Sequence, residues 1–195
     1  MWYTTNVCGL TRKLPIVKVN EDTWIASNAE LVFGCDIEFT EVVGRELALR
    51  LKSYNVECLL VPEVKGIPIA YVVARNLNHK TFAVARKSIK SYMEEPIIRE
   101  KVTSITTKSA QNLVLDRVNI DRIKNKKVAV IDDVVSTGGT IKASKNLLSK
   151  ANARLVCGAV VWIEGPDYKG KDVIYLDKLP IFVTKEKYEL LTRKA

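Results

Sequence analysis

Apolar residues recur every four positions from 37 to 54, at Phe39, Val43, Leu47 and Leu51 with Val42 beside them. That spacing lines one face of an amphipathic helix. The pattern then changes to short, continuous apolar runs. Residues 57–61 and 81–86 read as buried strands, 67–76 as a helix between them, and 62–66 as the loop joining strand to helix. Further on, 128–131 is a buried strand, 139–151 a helix, 154–163 a longer apolar strand and 173–176 a short last one. Residues 87–101 are polar and contain Pro96, which predicts a long exposed excursion. Residues 102–106 and 113–115 read as strands flanking a hairpin. The first 34 residues hold only short extended candidates, at 14–19 around Pro15 and at 24–26. Strands alternating with helices predict an α/β fold, a mainly parallel sheet covered by helices on both faces. Ligands in such sheets bind at the carboxyl ends of the strands. Three loops fall there: 62–66, the stretch from Arg86 onward, and 132–140.

The third loop carries the strongest chemical signal. Residues 128–140 read Val-Ala-Val-Ile-Asp-Asp-Val-Val-Ser-Thr-Gly-Gly-Thr. A loop of this kind leaves backbone N–H groups unpaired at a helix N-terminus, where they can surround a phosphate. Gly138 and Gly139 let the backbone approach the anion, and Ser136, Thr137 and Thr140 add hydroxyl donors. Asp132 and Asp133 would repel a bare phosphate, so they must face something else: sugar hydroxyls or a hydrated cation. Loop and carboxylates together call for a sugar 5-phosphate. A nucleoside triphosphate loop would need lysine after the glycines, where Thr140 and Ile141 stand, and the three-glycine dinucleotide fingerprint is absent. Residues 62–66, Pro-Glu-Val-Lys-Gly, form a second strand–loop–helix cradle with a lysine in it.

Composition narrows the class without naming the chemistry. At 195 residues, 47% of them apolar and 27% charged, the chain suits one domain with a sizeable core. The net charge of +9, 31 basic residues against 22 acidic, is spread along the chain without an aromatic-interleaved basic run. It is read as solvated surface with a minority of cations for a polyanionic substrate; nucleic acid is not expected. Cys8, Cys35, Cys58 and Cys157 lack paired metal spacing, and Cys58 and Cys157 lie in apolar strand patterns as buried thiols. Neither a zinc site nor a disulfide framework is expected. The single histidine, His79, sits in a polar stretch and reads as a surface loop residue. No apolar run reaches the ~20 residues that span a bilayer, and no secretory signal is evident, so a cytoplasmic protein with no membrane contact is expected.

The 128–140 stretch resembles the phosphoribosyl-pyrophosphate (PRPP) motif of type I phosphoribosyltransferases. The resemblance implies that Asp132 and Asp133 hold the ribose 2- and 3-hydroxyls, as the catalytic pair, and that Ser136, Thr137, Gly138, Gly139 and Thr140 bind the 5-phosphate. The 62–66 loop resembles the Glu-Ala-Arg-Gly segment of adenine enzymes and the matching loop of xanthine enzymes. That assigns Glu63, Val64, Lys65 and Gly66 to pyrophosphate, with a cis non-proline peptide often found there. The family places an Arg-Lys pair before a lid loop, which adds Arg86, Lys87 and Lys90 to the pyrophosphate site and makes 87–108 the lid, with Tyr92, Arg99 and Lys101 as its contacts. The strand end at Trp162, Ile163 and Glu164 corresponds to the base site, although strand alternation gives Trp162 a place in the core just as readily.

Residues 1–34 would then be a hood or N-terminal extension, 35–165 the PRPP-binding core and 166–195 a C-terminal segment of one domain. Segments at 9–15, 65–68, 85–88 and 104–107 are similar to adenine and related purine enzymes. Two departures stand out: 102–108 has no carboxylate where adenine enzymes carry a lid glutamate, and Ser136 stands where hypoxanthine-guanine enzymes carry aspartate. The implied activity is transfer of phosphoribosyl from PRPP to a purine, adenine first. Mg²⁺ would enter through PRPP, with no metal held by the protein itself, and the family is typically a homodimer. The alternatives are a xanthine or hypoxanthine enzyme, or a PRPP-sensing regulator without turnover.

Overall fold

The computed structural model describes residues 1–102, 111–166 and 168–184, and of residues 34 and 35 the backbone alone. The chain opens with β1 (Trp2–Val7), β2 (Leu10–Asn20) and β3 (Thr23–Ala26), then a π-helical turn at Leu31–Cys35 and α1 (Ile37–Leu51). β4 (Cys58–Pro62), α2 (Ile67–Asn76) and β5 (Ala83–Ala85) follow, then the hairpin strands β6 (Ile98–Val102) and β7 (Gln111–Leu115) and the short α3 (Arg117–Ile123). The remainder is β8 (Lys127–Val135), α4 (Gly139–Lys150), β9 (Arg154–Glu164), β10 (Val173–Leu179) and β11 (Ile181–Val183).

Five strands in the order β10-β9-β8-β4-β5 make one parallel sheet. Every residue of β4 is buried, as a strand covered on both faces requires. The spacing by four in α1 turns Phe39, Val43, Leu47 and Leu51 inward, where they join Ile69 and Val73 of α2 over one face. Each such side chain contributes about 1.5–3 kcal/mol on burial. Asp36 starts α1 by accepting the Phe39 amide at 2.9 Å. On the other face Ile141, Leu147 and Leu148 of α4 pack with Ile123 of α3. Cys58 and Cys157 are each 2% exposed, within these two layers. No helix among the described residues is long and apolar enough to cross a membrane.

The hood differs from its expected short pieces. The extended candidates at 14–19 and 24–26 belong to a four-stranded antiparallel sheet, β1-β2-β3-β11, built from both ends of the chain. Cys8 and Gly9, with φ of 52° and 84°, make the two-residue turn between β1 and β2. Arg12 on β2 reaches Asp36 at 2.5 Å and Glu38 at 2.7 Å, which ties the hood to the start of α1.

The excursion 87–101 ends in an unexpected strand: β6 starts at Ile98, pairs with β7, and packs on α4 through Lys150–Glu100 (2.6 Å) and Asn146–Glu100 (3.1 Å). Of the strand expected at 102–106 only Val102, the last residue of β6, is described; residues 103–110 lie outside the described residues. His79 is only half-exposed; its Nε2 lies 3.1 Å from the Val56 carbonyl, so it packs under its loop.

Candidate active site

β8 delivers Asp132 and Asp133 to the carboxyl edge of the sheet, and six residues after Asp133 the chain turns into α4. Gly138, at the N-cap, has φ 83°, a left-handed conformation that glycine adopts without strain. No side chain caps the helix, so its first-turn amides face outward, flanked by the partly exposed Ser136, Thr137 and Thr140. This is an anion cradle.

The second loop meets the first. The Glu63–Val64 peptide is cis. Gly66 lies against β8 so closely that a Cβ would stand 3.0 Å from Val61 Cγ2 and 3.2 Å from both Asp132 Cα and the Ile131 oxygen. A side chain there would meet the backbone of the aspartate strand more tightly than ordinary van der Waals contact. Glu63 holds the third loop: its Oε2 accepts from Arg86 Nε and from the Lys87 amide, each at 3.0 Å. Burial alone would raise the Glu63 carboxyl, but the Lys87 N–H and the Arg86 charge hold it below the usual range.

Between the loops lies a polar cluster reached by a hood residue. Lys65 Nζ donates to Asp133 Oδ2 at 2.5 Å and to Asn28 Oδ1 at 3.1 Å, while Asn28 Nδ2 donates to the same Asp133 oxygen at 2.7 Å. Asn28 and Asp133 are 5% and 3% exposed. Asp132 Oδ1 accepts the Asp133 amide at 2.9 Å. Crowding by surrounding atoms and the adjacent Asp133 charge push the Asp132 carboxyl well above the usual range. Glu164, at the end of β9, is raised by burial; Lys65 pulls it back and Asp133 adds to the rise, so all three share one electrostatic neighbourhood.

Asp132 and Asp133 thus lie between the lysine-bearing 62–66 loop and the uncapped start of α4. The sequence matches the family described as phosphoribosyl transferase domain over residues 41–189. The chain belongs to the phosphoribosyltransferase family. It is 30% identical over 139 residues to a xanthine phosphoribosyltransferase of Clostridium tetani, covering 71% of this chain and 72% of that one. It is 32% identical over 136 residues to an adenine phosphoribosyltransferase of Lactobacillus acidophilus, covering 69% and 73%. Among solved structures, the adenine phosphoribosyltransferase of Thermoanaerobacter pseudethanolicus superposes with a TM-score of 0.69 at 18% identity, over 85% of this chain and 95% of that one, which supports the type I fold.

This phosphoribosyltransferase gathers most of the residues expected at its site. Residues 132–133, 136–140, 63–66, 86 and 87 lie in three adjoining loops, and the Lys90 charge also acts on Glu63. Lys65 stands on Asp133 rather than free in its loop.

Trp162 requires a correction. It is 0% exposed and stacks on Phe39, with ring centroids 5.5 Å apart and planes 13° from parallel. The large ring fills the space between β9 and α1 and has no face left for a base. Ile163, beside Val135, retains 9% exposure.

Arg99 and Lys101 are not brought to the site either. Lys150, in the last turn of α4, donates to the Arg99 carbonyl at 2.8 Å, and the two cations line an open cavity of about 630 Å³ beside it. Twelve residues of helix, about 18 Å, separate that end from the phosphate cradle. Tyr92 is 65% exposed. Asn28 escaped the sequence reading, since a Ser-Asn step after a short strand looks like an ordinary turn.

Proposed function

We propose that this phosphoribosyltransferase moves the 5-phosphoribosyl group of PRPP onto a ring nitrogen of a purine, adenine first, as a cytoplasmic homodimer in purine salvage. The bond from C1 to the pyrophosphate oxygen breaks, the bond from C1 to nitrogen forms, and the N–H proton of the base passes to water or to the departing pyrophosphate. The observation that carries the reading is the contact of Gly66 with Asp132, which sets the lysine-bearing loop against the aspartate strand just before the α4 cradle.

The 5-phosphate sits on residues 136–140, the ribose hydroxyls on Asp132 and Asp133, and the pyrophosphate against 63–66, Arg86, Lys87 and Lys90. When ribose hydroxyls take over Asp133, Lys65 is released toward the pyrophosphate. Clamping both phosphate ends positions C1, and charge on the sugar is stabilised by the carboxylates without a protein nucleophile. Ile163 and Glu164 border the base, Glu164 accepting a hydrogen bond from its edge.

Mg²⁺ fits this chemistry through the substrate. Among the described residues no group of three or more His, Cys, Asp or Glu is arranged to hold a metal ion, and Asp133 is already matched by Lys65. The ion would be held by the oxygens of PRPP, where it neutralises the departing pyrophosphate, with Asp132 or Asp133 behind a water.

A 6-oxopurine is the second reading, supported by the likeness to the Clostridium tetani xanthine enzyme. The test is pyrophosphate release from PRPP and Mg²⁺ with adenine, hypoxanthine, guanine, xanthine or, as a pyrimidine control, orotate. Release with adenine is the expected result, and release with xanthine or hypoxanthine alone selects the second reading. PRPP binding with no release for any base contradicts both.

A further inference from the structure

β9 and β10 are parallel, so residues 165–172 must carry the chain from the carboxyl end of one to the amino end of the other, and their described part does so without a helix. Tyr168 lies on this strap. Its Cε2 and Cδ2 atoms stand 2.9 and 3.0 Å from where a Cβ on Gly138 would be, so the ring rests directly on the N-cap glycine of α4. The other end of the ring is anchored. The hydroxyl donates to Asp172 Oδ1 at 2.5 Å, and the Asp172 carbonyl accepts the Gly158 amide of β9 at 2.8 Å. Gly170 makes room for this geometry, because a Cβ there would fall 2.4 Å from the Tyr168 oxygen. The ring also packs against the apolar layer that contains Ile141 of α4.

We propose that Tyr168 is a positioning residue for phosphoribosyl binding, a clamp that locks Gly138 in its left-handed conformation and so aims the first-turn amides of α4 at the 5-phosphate. This rests on reading residues 136–140 as the 5-phosphate cradle. Gly138 has no side chain through which its own loop could hold it, and glycine is the residue with the most backbone freedom to lose. A ring tied to the sheet through Asp172 supplies that restraint before the ligand arrives, so binding does not have to order the loop. The strap belongs to neither phosphate loop, which is why no motif marks it.

The experiment is calorimetric titration with ribose 5-phosphate and steady-state kinetics on the wild type, Tyr168→Phe and Tyr168→Ala. Tyr168→Ala is expected to weaken ribose 5-phosphate and raise KM for PRPP about tenfold, a change equivalent to roughly 1.4 kcal/mol. Its kcat and its KM for the base should stay within about twofold, the signature of lost ground-state binding. Tyr168→Phe keeps the ring on Gly138 but loses the tie to Asp172, so its ribose 5-phosphate affinity and KM for PRPP should fall between those of wild type and Tyr168→Ala. Should Tyr168→Ala fail to fold, Tyr168→Leu replaces it, with a loss of at least about threefold expected. Unchanged affinity in the Ala or Leu variant overturns the clamp, as does a Phe variant as impaired as Ala. Wild-type protein that binds neither ribose 5-phosphate nor PRPP overturns the cradle reading and the clamp together; wild-type binding with unaltered variant binding overturns the clamp alone.

Discussion

Replacing Lys65 with Met strands Asp133. That carboxylate has a side chain only 4% exposed, and Asn28 Nδ2 at 2.7 Å becomes its remaining partner. Removing one member of a fully buried ion pair costs about 3–5 kcal/mol. Here the Lys65 end of the pair is 34% exposed, so water can follow into the space left, and Asn28 goes on donating. About 2 kcal/mol is therefore expected. The reverse change, Asp133→Asn, leaves an ammonium that can turn to solvent, and its cost should stay below about 1 kcal/mol. For a chain of this length each kcal/mol moves the thermal midpoint by about 2–4 °C. Lys65→Met should then lower Tm by about 4–8 °C and Asp133→Asn by less than about 4 °C, with the double variant recovering most of the Lys65→Met loss. Thermal unfolding followed by circular dichroism at pH 7, without ligand, reads all three. Equal losses in the two single variants, or a double variant as unstable as Lys65→Met, refute the claim that Asp133 is the buried member that depends on Lys65.

Three further outcomes follow from the same geometry. Because the Asp132 carboxyl is raised in the folded protein, the native state binds more protons, and the stability present below about pH 4 is lost as pH rises through the folded value. Asp132→Asn should therefore be more stable than wild type at pH 7 and level with it near pH 4, while losing activity; parallel melting profiles across that range would contradict the assignment. Glu63 is the opposite case, lowered by the Lys87 N–H and Arg86 against the effect of burial, so its contribution is present above the usual carboxylate range and is lost as pH falls through the lowered value. Glu63→Gln should cost about 1 kcal/mol in urea unfolding at pH 7 and progressively less toward pH 3, and a pH-independent difference would show that the charge plays no part. Trp162→Ala should cost about 3–5 kcal/mol. Trp162→Phe should cost under about 1.5 kcal/mol, since the indole N–H has no partner to lose among the described residues, with KM for the base unchanged; a raised KM in a stable Phe variant would return Trp162 to the base site.

The core of the fold was legible where local pattern and burial agree. The spacing by four in α1 and the unbroken apolar runs of β4, β8 and β9 each report burial on known faces, and the structure repeats them within a few residues. α3 left no such mark: it is seven residues long, buries only Ile123, and owes its start to Asp116 accepting the Asn119 amide at 3.1 Å. The hood strands were faint because partly exposed strands alternate weakly, and because β11 pairs with β3 across most of the chain. The 136–140 loop stood out as a candidate anion site because glycines, hydroxyls and paired carboxylates fall within a few residues of one another. The Asn28–Lys65–Asp133 cluster could not, since its members are 37 and 68 residues apart and meet only when hood and sheet come together. Trp162 shows the limit of resemblance: a position beside the base in a family is still a core position when a helix supplies Phe39 opposite it.

The most direct measurement of the central claim is mass spectrometry of the products formed when the purified protein is given PRPP, Mg²⁺ and an equimolar mixture of purine bases. A nucleoside 5-monophosphate, adenosine monophosphate foremost, appearing with stoichiometric pyrophosphate is the predicted result. Intact PRPP and unmodified bases, from protein that binds PRPP and unfolds cooperatively, would contradict it.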